Sequence, residues 1–578
     1  MTAAEPVRPG EVDTLPALLA GLVTTARDAP ERPALVLADG RSLSFATLLD
    51  RVTRATAGLA AHGIGYGTRT VLLTPPAPDF VVAAFALLAR GAVPVLIDPG
   101  IGVRRVGSAL REVGPTAFVG SDRAHLARRV LRWAPTADRH VVTGQRARAR
   151  LIGGAGATTL AELERDGAAG GGHTAWTPRA AGDEAALLFT SGSTGAPKAV
   201  VHRHPHLEAS VDVLRRLYGL RPGEVTVATF PPFALFGPAL GQTTVLPDMD
   251  FTRPAAADPE HLRDLMARHE ADLLFASPAL LASLARHGRS LPSLRLVLSS
   301  GAPVPGHVVD TITTLLPEGA AISTPYGMTE ALPICAIGGA ELLATTTLYD
   351  PPRGVCVGAP APDTDVLVIG VDDRPLPAIG AGDAVEDGHV GELVVRGPQV
   401  TGAYAGRPAA TARAKTTWQG RTAHRTGDLA WRDAHGRLWF CGRAVHRVHT
   451  TAGPIDPLPV EQLVLDHPHV ERAALVGIGD AGAMHPVLVV QPTSGAVASA
   501  WRPAARRRRA RLFADLRARL DAHPHGAVVE TVLLRRRIPV DARHNAKIGY
   551  EQLARWAAAR RRGRTTWVGR RAFGGGPT

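Results

Sequence analysis

One short segment carries the residue types best suited to phosphate chemistry, LLFTSGSTGAPKAVVHRH at positions 187–204. Its glycines let the backbone turn N–H groups toward an anion, its hydroxyls can donate, and its lysine adds a point charge. The spacing departs from the common P-loop at Pro197 and Ala199, and a plain Ser/Thr/Gly turn would have the same composition. The candidate phosphate-binding residues are Thr190, Ser191, Gly192, Ser193, Thr194, Gly195 and Lys198.

Lysine is rare in this chain. It occurs only at Lys198, Lys415 and Lys547, and the other 62 of the 65 basic residues are arginine. Such a bias suggests that lysine persists where only a slim cation fits, because the guanidinium is broader and planar. Chance would explain three survivors equally simply. The surroundings favour a functional role for Lys198 and Lys547, whereas the sequence offers no role for Lys415.

Three further segments combine chemically useful side chains. STPYGMTEALP (323–333) puts an aromatic ring, a glycine, a hydroxyl and a carboxylate in series. HRTGDLAWRDAHGRLWFCGRAVHRV (424–448) carries Asp428 after a glycine and then Arg443. IPVDARHNAKIGYEQL (538–553) places Lys547 in a turn.

The elements around these residues follow an α/β pattern through the first 440 residues. TRTVLLTPP (68–76), GAVPVLIDP (91–99) and LRLVLSSGAPV (294–304) read as buried strands, and ligands are expected at the carboxyl ends of such strands. FVVAAFALLA (80–89) is too short to span a membrane and predicts a buried helix. The glycine-rich stretch 153–173 predicts a surface loop.

The pattern changes along the second half of the chain. From about residue 386, Gly- and Asp-containing turns predict β-hairpins. After Arg443 we expect a smaller α+β part with three strands and an arginine-rich helix. In that helix Leu512, Phe513, Leu516 and Leu520 share one face.

Composition limits the classes of protein. A chain of 578 residues, 45% hydrophobic and 20% charged, predicts a soluble protein of two or more domains. No secretion signal is predicted at the N-terminus. Three widely spaced cysteines give neither a zinc pattern nor a disulfide framework, so a cytoplasmic location is expected.

The net charge of +13 comes largely from arginines late in the chain. We interpret them as the solvated face of an amphipathic helix, and an anionic partner or peripheral lipid contact is the alternative. No nucleic-acid-binding signature and no transmembrane segment is predicted.

The four chemical segments, in this order and spacing, resemble those of the adenylate-forming superfamily of acyl-CoA synthetases, adenylation domains and luciferases. The resemblance implies a large N-terminal adenylating domain (1–441) of αβαβα-type sheets plus a β-barrel-like subdomain. A hinge (442–448) and a smaller mobile α+β C-terminal domain (449–578) would follow. It also implies ATP and Mg²⁺ as cofactors.

Site roles follow from the same resemblance. Thr190 to Lys198 would bind phosphates, Thr329 would contact the α-phosphate, Glu330 would hold Mg²⁺, and Lys547 would enter the site during adenylation. The adenosine pocket would be formed by Ser300, Gly301, Ala302, Pro303, Tyr326, Gly327, Asp428 and Arg443. A carboxylate attacking a phosphate needs such cations to offset charge repulsion.

Two departures from the family pattern point to one branch. His446 stands where an acidic hinge residue is usual, and Ala234 stands where histidine is common. The segments FALFGPALG, LPDMDFTRPA, CGRAVHRV, PVDARHNAKI and VLIDPGIGVRR resemble the β-lactone synthetases of long-chain olefin biosynthesis. That branch implies a 2-alkyl-3-hydroxy fatty acid whose own hydroxyl displaces AMP, and other enzymes of the same pathway as possible partners.

Two further groups of side chains each have two interpretations. Phe233, Leu235 and Phe236 could line an acyl pocket or simply form core. His202, His204 and His206 alternate as metal ligands on a strand would, but Pro205 favours a loop beside the active site.

Three functions are therefore compared: a β-lactone synthetase, a fatty acyl-CoA or acyl-AMP ligase, and a nucleotide-binding scaffold without catalysis. The first is preferred. The four intact polar residues Lys198, Glu330, Asp428 and Lys547 weigh against the scaffold.

Overall fold

The computed structural model describes residues 17–144, 152–154, 156–169, 176–177, 180–190, 196–493, 503–541 and 547–562. Helices and strands are numbered along these residues. The helices are α1 (Ala17–Asp28), α2 (Phe45–Ala61), α3 (Pro78–Arg90), α4 (Val103–Val113), α5 (Asp122–Leu131), α6 (Leu160–Ala169), α7 (His204–Tyr218), α8 (Phe233–Ala239), α9 (Pro259–Arg268), α10 (Pro278–His287), α11 (Gly306–Leu315), α12 (Gly339–Thr345), α13 (Pro408–Ala414), α14 (Pro457–Leu465), α15 (Pro503–Asp521), α16 (Pro524–Ala527) and α17 (Tyr550–Arg562).

A seven-stranded sheet has the order β7-β6-β5-β3-β4-β8-β9 and is parallel except between β8 and β9. Its strands are β3 (Arg69–Leu73), β4 (Val93–Leu96), β5 (Ala117–Ser121), β6 (Arg139–Thr143), β7 (Thr158–Thr159), β8 (Glu184–Phe189) and β9 (Ala199–Arg203). Helix α3 is buried from Phe80 to Ala89, which confirms the predicted buried helix.

A fifteen-stranded sheet forms the second layer. Its main path is β17-β19-β21-β22-β16-β15-β14-β13-β12-β10-β11-β1-β2. Off this path, β20 pairs with β21 and β18 pairs with β20. Its strands are β1 (Pro33–Leu37), β2 (Ser42–Ser44), β10 (Val225–Ala228), β11 (Thr243–Leu246), β12 (Leu273–Ala276), β13 (Leu296–Ser299), β14 (Ala321–Met328), β15 (Ala331–Gly338), β16 (Val355–Pro360), β17 (Asp365–Ile369), β18 (Ala378–Ile379), β19 (Gly391–Arg396), β20 (Lys415–Trp418), β21 (Arg421–Arg432) and β22 (Leu438–Arg443).

This sheet changes character along its path. The strands from β14 through β13, β12, β10 and β11 to β1 run parallel, and those from β14 to β17 run antiparallel. The antiparallel strands include the hairpins predicted after residue 386. The mixed α/β architecture therefore agrees with the predicted fold class.

The last part of the chain forms smaller sheets. Strands β23 (Val448–Thr450) and β24 (Gly453–Ile455) pair, and β25 (Val470–Ile478), β26 (His485–Pro492) and β27 (Thr531–Leu534) form a three-stranded sheet. Leu512, Leu516 and Leu520 of α15 are buried, so the predicted apolar face of the arginine-rich helix is confirmed. The exact limits of the two domains and of the hinge stay a prediction.

The predicted surface loop at 153–173 is wrong for residues 158–169, whereas residue 155 and residues 170–173 lie outside the described residues. Thr158–Thr159 pairs with β6, and helix α6 follows, with Leu160 and Leu163 buried. Helices α2 and α6 touch backbone to backbone, since a Cβ added at Gly58 would stand 2.2 Å from the Leu163 carbonyl oxygen. Gly167 makes a similar approach to the backbone of α2. These glycines therefore serve close helix packing.

Nothing in the described part of the chain has the length and apolar character of a membrane-crossing helix.

Candidate active site

The centre of the candidate site is the tight turn between β14 and β15. The two strands pair down to Met328 and Ala331, which leaves Thr329 and Glu330 at the tip. The backbone carbonyl of Glu330 accepts hydrogen bonds from Thr401 N (2.9 Å) and Thr401 Oγ1 (3.1 Å). Its carboxylate accepts a hydrogen bond from Tyr404 Oη (2.6 Å). The segment 401–404 thus fixes both the backbone carbonyl and the side-chain carboxylate of this buried residue.

Two lysines lie beside the same tyrosine. The ammonium of Lys198 is 4.8 Å from the centre of the Tyr404 ring, and that of Lys415 is 6.0 Å away. Burial lowers the pKa of Lys198, although the charge of Glu330 opposes the shift. Burial lowers the pKa of Lys415 to about 7, again opposed by Glu330. One carboxylate and two amines therefore form a compact cluster.

The predicted phosphate loop connects β8 to β9 and ends at this cluster. Thr190 N donates to the Lys198 carbonyl (3.0 Å), and Lys198 N donates to Thr190 Oγ1 (3.3 Å). These bonds join the two ends of the loop and fix the position of the Lys198 backbone. Residues Ser191, Gly192, Ser193, Thr194 and Gly195 lie outside the described residues.

A second polar group lies where β21 pairs with β22. Asp428 stands opposite Arg443 in the register, with Arg443 Nε 3.2 Å from Asp428 Oδ1, and Tyr326 Oη donates to Asp428 Oδ2 (2.7 Å). Asp428 is buried, and this burial raises the pKa of its carboxyl despite the charge of Arg443. Within the described residues its Oδ1 accepts no well-aligned hydrogen bond. A buried oxygen of this kind suits a ligand hydroxyl.

The predicted adenine-pocket residues follow a neighbouring strand. Ser300, Gly301, Ala302 and Pro303 come directly after β13, which pairs in parallel with β14 up to Leu298 and Ser323. Gly301 has a φ of 101°, which a side chain would strain, so the turn beside the strand of Tyr326 depends on glycine. A Cβ on Gly327 would lie 2.8 Å from Leu332, which explains the small residue there.

Lys547 comes from the last part of the chain to the same region. Its N–H donates to Asp541 Oδ1 (2.9 Å), and Asp541 N donates to its carbonyl (3.0 Å), which fixes the turn. Its charge lowers the pKa of Asp428. Lys198 therefore lies in the candidate site together with Lys415, for which the sequence offered no role, and Lys547 lies near enough for its charge to act on Asp428.

A small apolar cavity lies among α7, α8, β10 and β12. It has a volume of about 30 Å³, and its lining includes Phe233 and Phe236. Phe233 stacks on Phe275, with ring centres 4.0 Å apart. Leu235 does not line this cavity and packs against the neighbouring core. Ala234, at the position where histidine was expected, is buried.

The histidines after the phosphate loop are not in a loop. His202 lies in β9, His204 begins α7, and His206 Nδ1 accepts a hydrogen bond from Arg203 N (3.1 Å). The prediction of a loop is therefore wrong, because Pro205 sits in the first turn of a helix, where proline is tolerated. Burial lowers the pKa of His202 to about 3 and of His206 to about 4. Across the described residues, no cluster of three metal-binding side chains occurs.

Comparison with known proteins decides the family. The family model described as AMP-binding enzyme matches residues 22–405. The chain belongs to the AMP-binding enzyme family. This family is the adenylate-forming superfamily that the sequence motifs resemble.

Curated relatives and solved structures agree with this family. The olefin beta-lactone synthetase of Xanthomonas campestris pv. campestris is 47% identical over 567 residues, which covers 96% of this chain and 99% of that protein. The amide bond synthetase of Marinactinospora thermotolerans has a TM-score of 0.74 at 24% identity, covering 94% of this chain and 99% of that one. The O-succinylbenzoate coenzyme A synthetase of Bacillus subtilis, in complex with ATP and magnesium ion, has a TM-score of 0.69 at 21% identity, covering 92% and 98%.

The AMP-binding fold contains two site residues that the sequence did not reveal. Tyr404 and Thr401 hold Glu330, yet they follow it by more than 70 residues and belong to none of the recognised motifs. The rarity of lysine was the only signal for the neighbouring Lys415.

The predicted hinge residue contacts a buried network in the last part of the chain. The ring of His446 stacks on Tyr550 with centres 4.2 Å apart, and Tyr550 Oη donates to Glu461 Oε1 (2.9 Å). Glu461 also accepts from Leu475 N (2.9 Å). Burial raises the pKa of Glu461 to about 7, against the effect of these bonds.

Glu461→Gln is expected to remove a pH-dependent cost of folding. Because the pKa of Glu461 is raised in the folded state, its contribution to stability is intact below about pH 4.5 and is lost as pH rises to about 7. The full shift corresponds to on the order of 3 kcal/mol. The gain in stability of the variant over wild type should therefore grow from pH 5 to pH 8.

Hydrogen exchange of the β25 and β26 amides, corrected for intrinsic rates, measures this difference. Glu530→Gln neutralises an exposed carboxylate beside the same sheet and is the control. A constant difference between Glu461→Gln and wild type across this pH range would contradict the prediction.

Proposed function

We propose that this chain is an ATP-dependent β-lactone synthetase acting on a 2-alkyl-3-hydroxy fatty acid. The observation that carries the proposal is the 47% identity, over nearly the full length of both chains, to a protein named olefin beta-lactone synthetase. The polar cluster of Glu330, Lys198 and Lys415 is consistent with a substrate whose carboxylate must react with a nucleotide.

In the first half-reaction the substrate carboxylate attacks the α-phosphate of ATP and pyrophosphate leaves. Asp428 would accept hydrogen bonds from the ribose hydroxyls, and the ion pair of its Oδ1 with Arg443 would favour the ionised carboxylate. Lys198, Thr329 and Lys547 would offset the negative charge that builds up on the phosphate.

The residues present fit a magnesium site. Mg²⁺ is typically held by one or two carboxylates together with substrate phosphates and water. Glu330 supplies one such carboxylate, held in place by Tyr404. When bound, the ion neutralises phosphate charge, and the chain's contribution is to fix Glu330.

In the second half-reaction the substrate's β-hydroxyl oxygen attacks the acyl carbonyl carbon. The bond from that carbon to the AMP oxygen breaks, AMP leaves, and the hydroxyl proton is released. Tethering the nucleophile provides an effective concentration on the order of 10⁵ M or more, part of which is offset by strain in the four-membered ring. The apolar side chains of Phe233 and Phe236 would contact the alkyl chains and exclude water, a competing nucleophile.

The test is incubation with ATP, Mg²⁺ and a 2-alkyl-3-hydroxy acid without any thiol, with the product identified by NMR. The expected product is the β-lactone, with one AMP and one pyrophosphate per lactone. The matching acid without the hydroxyl should form acyl-adenylate and no lactone. A thioester formed only when CoA is added would favour the acyl-CoA ligase, and no pyrophosphate release with any hydroxy acid would favour the scaffold.

A further inference from the structure

Lys415 is buried at a place where a lysine is costly. It is the first residue of β20, it is 9% exposed, and its ammonium donates to Thr401 Oγ1 (3.3 Å). Removing an ammonium from water costs several kcal/mol, and an apolar side chain of similar length would pack there without that cost. Stability therefore does not explain why this position keeps one of only three lysines.

The hydrogen bond to Thr401 connects Lys415 to the turn that carries Glu330. Lys415 donates to Thr401 Oγ1, and Thr401 Oγ1 in turn donates to the backbone carbonyl of Glu330. Three residues further along the chain, Tyr404 donates to the carboxylate of the same residue. Lys415 thus contacts a segment that holds Glu330 at both its backbone and its side chain.

The charges around Lys415 favour the binding of an anion next to the cluster of Glu330, Lys198 and Lys415. Lys415 and Lys198 are attracted by Glu330 and repel each other. Two basic side chains thus share a single carboxylate in this cluster, which leaves a surplus of basic groups. Such a buried surplus can be balanced by a phosphate group brought to Lys198, at the end of the predicted phosphate loop.

We propose that Lys415 is a positioning residue for the Mg²⁺-bound triphosphate, acting through Thr401 on the Thr329–Glu330 turn. This inference rests on the proposed adenylation activity. Lys415 makes no contact with the reacting atoms; it fixes the Thr401 hydroxyl and thereby the backbone of the turn from which the Glu330 carboxylate extends.

The experiment compares ATP binding with and without Mg²⁺ by calorimetry, with no hydroxy acid present. Lys415→Met removes the charge and keeps the length of the side chain. Thr401→Val removes only the hydroxyl, since the Thr401 N–H bond to Glu330 remains. Arg421→Met, which removes an exposed cation from the strand that pairs with β20, is the control for lost charge.

Lys415→Met and Thr401→Val should each reduce the Mg²⁺-dependent gain in ATP affinity by about tenfold, the equivalent of one hydrogen bond to a charged group. The KM for the hydroxy acid should stay unchanged, and Arg421→Met should bind ATP like wild type. Combining the two site substitutions should add little to either one, because they interrupt the same chain of contacts.

A folded Lys415→Met variant with a wild-type Mg²⁺-dependent gain would overturn the inference. So would a Thr401→Val variant that binds normally while Lys415→Met weakens ATP binding equally with and without Mg²⁺. If Lys415→Met does not fold, as judged by thermal unfolding, Thr401→Val alone decides. Failure of wild-type protein to bind ATP at all would instead contradict the proposed function.

Discussion

Lys547→Ala is expected to slow pyrophosphate release by at least about 10²-fold, the usual effect of losing one donor that stabilises transition-state charge. Lys547 is held in a turn by Asp541, and its charge reaches Asp428 in the candidate site. Two hydrogen bonds between Asp541 and Lys547 involve the backbone of Lys547, which alanine keeps. The variant should therefore unfold at the wild-type temperature.

The same variant separates the two half-reactions. If Lys547 serves only adenylation, the variant supplied with chemically prepared acyl-adenylate should still close the ring at a near wild-type rate. Arg537→Ala, which removes an exposed cation from the segment before the turn, is the control and should keep full activity. Pyrophosphate release by Lys547→Ala at the wild-type rate would contradict its assigned role.

Asp428→Asn is expected to raise the KM for ATP by about 10²-fold, since each hydrogen bond to a charged group contributes roughly 1.5–3 kcal/mol. Asp428 Oδ1 is buried without a well-aligned donor among the described residues, and in the proposed function a ribose hydroxyl donates to it. The neutral amide also leaves Arg443 without its carboxylate. The KM for the hydroxy acid should change little.

Steady-state kinetics with each substrate varied in turn measures this effect. Asp387→Asn, which breaks the exposed ion pair with Arg432 of the same strand, is the matched control. An Asp428→Asn variant whose KM for ATP equals that of wild type would exclude the ribose-binding role.

The sequence predicted the residues of the site better than the contacts that hold them. Asp428 and Arg443 were taken from one motif, and strand pairing places them side by side. Tyr404 was missed because its contact with Glu330 depends on pairing between distant segments, such as the bridge between Val200 and Tyr404. No local pattern encodes such a contact.

The glycine content led to a wrong prediction in one region, whereas the lysine content was informative in another. The glycines of 153–173 suggested a loop, but Gly167 allows helix α6 to approach α2, and the spacing of Leu160 and Leu163 was the signal to follow. The scarcity of lysine, in contrast, marked Lys415 before any contact was known.

The central claim is that the carboxylate is activated and the same molecule's hydroxyl then displaces AMP. Substrate carrying ¹⁸O in both carboxylate oxygens tests this claim, with the products analysed by mass spectrometry. The account predicts one ¹⁸O in AMP, one in the lactone carbonyl, and retained configuration at the β-carbon. A lactone that keeps both labels with inverted configuration, and unlabelled AMP, would contradict it, because the hydroxyl would then be the activated group.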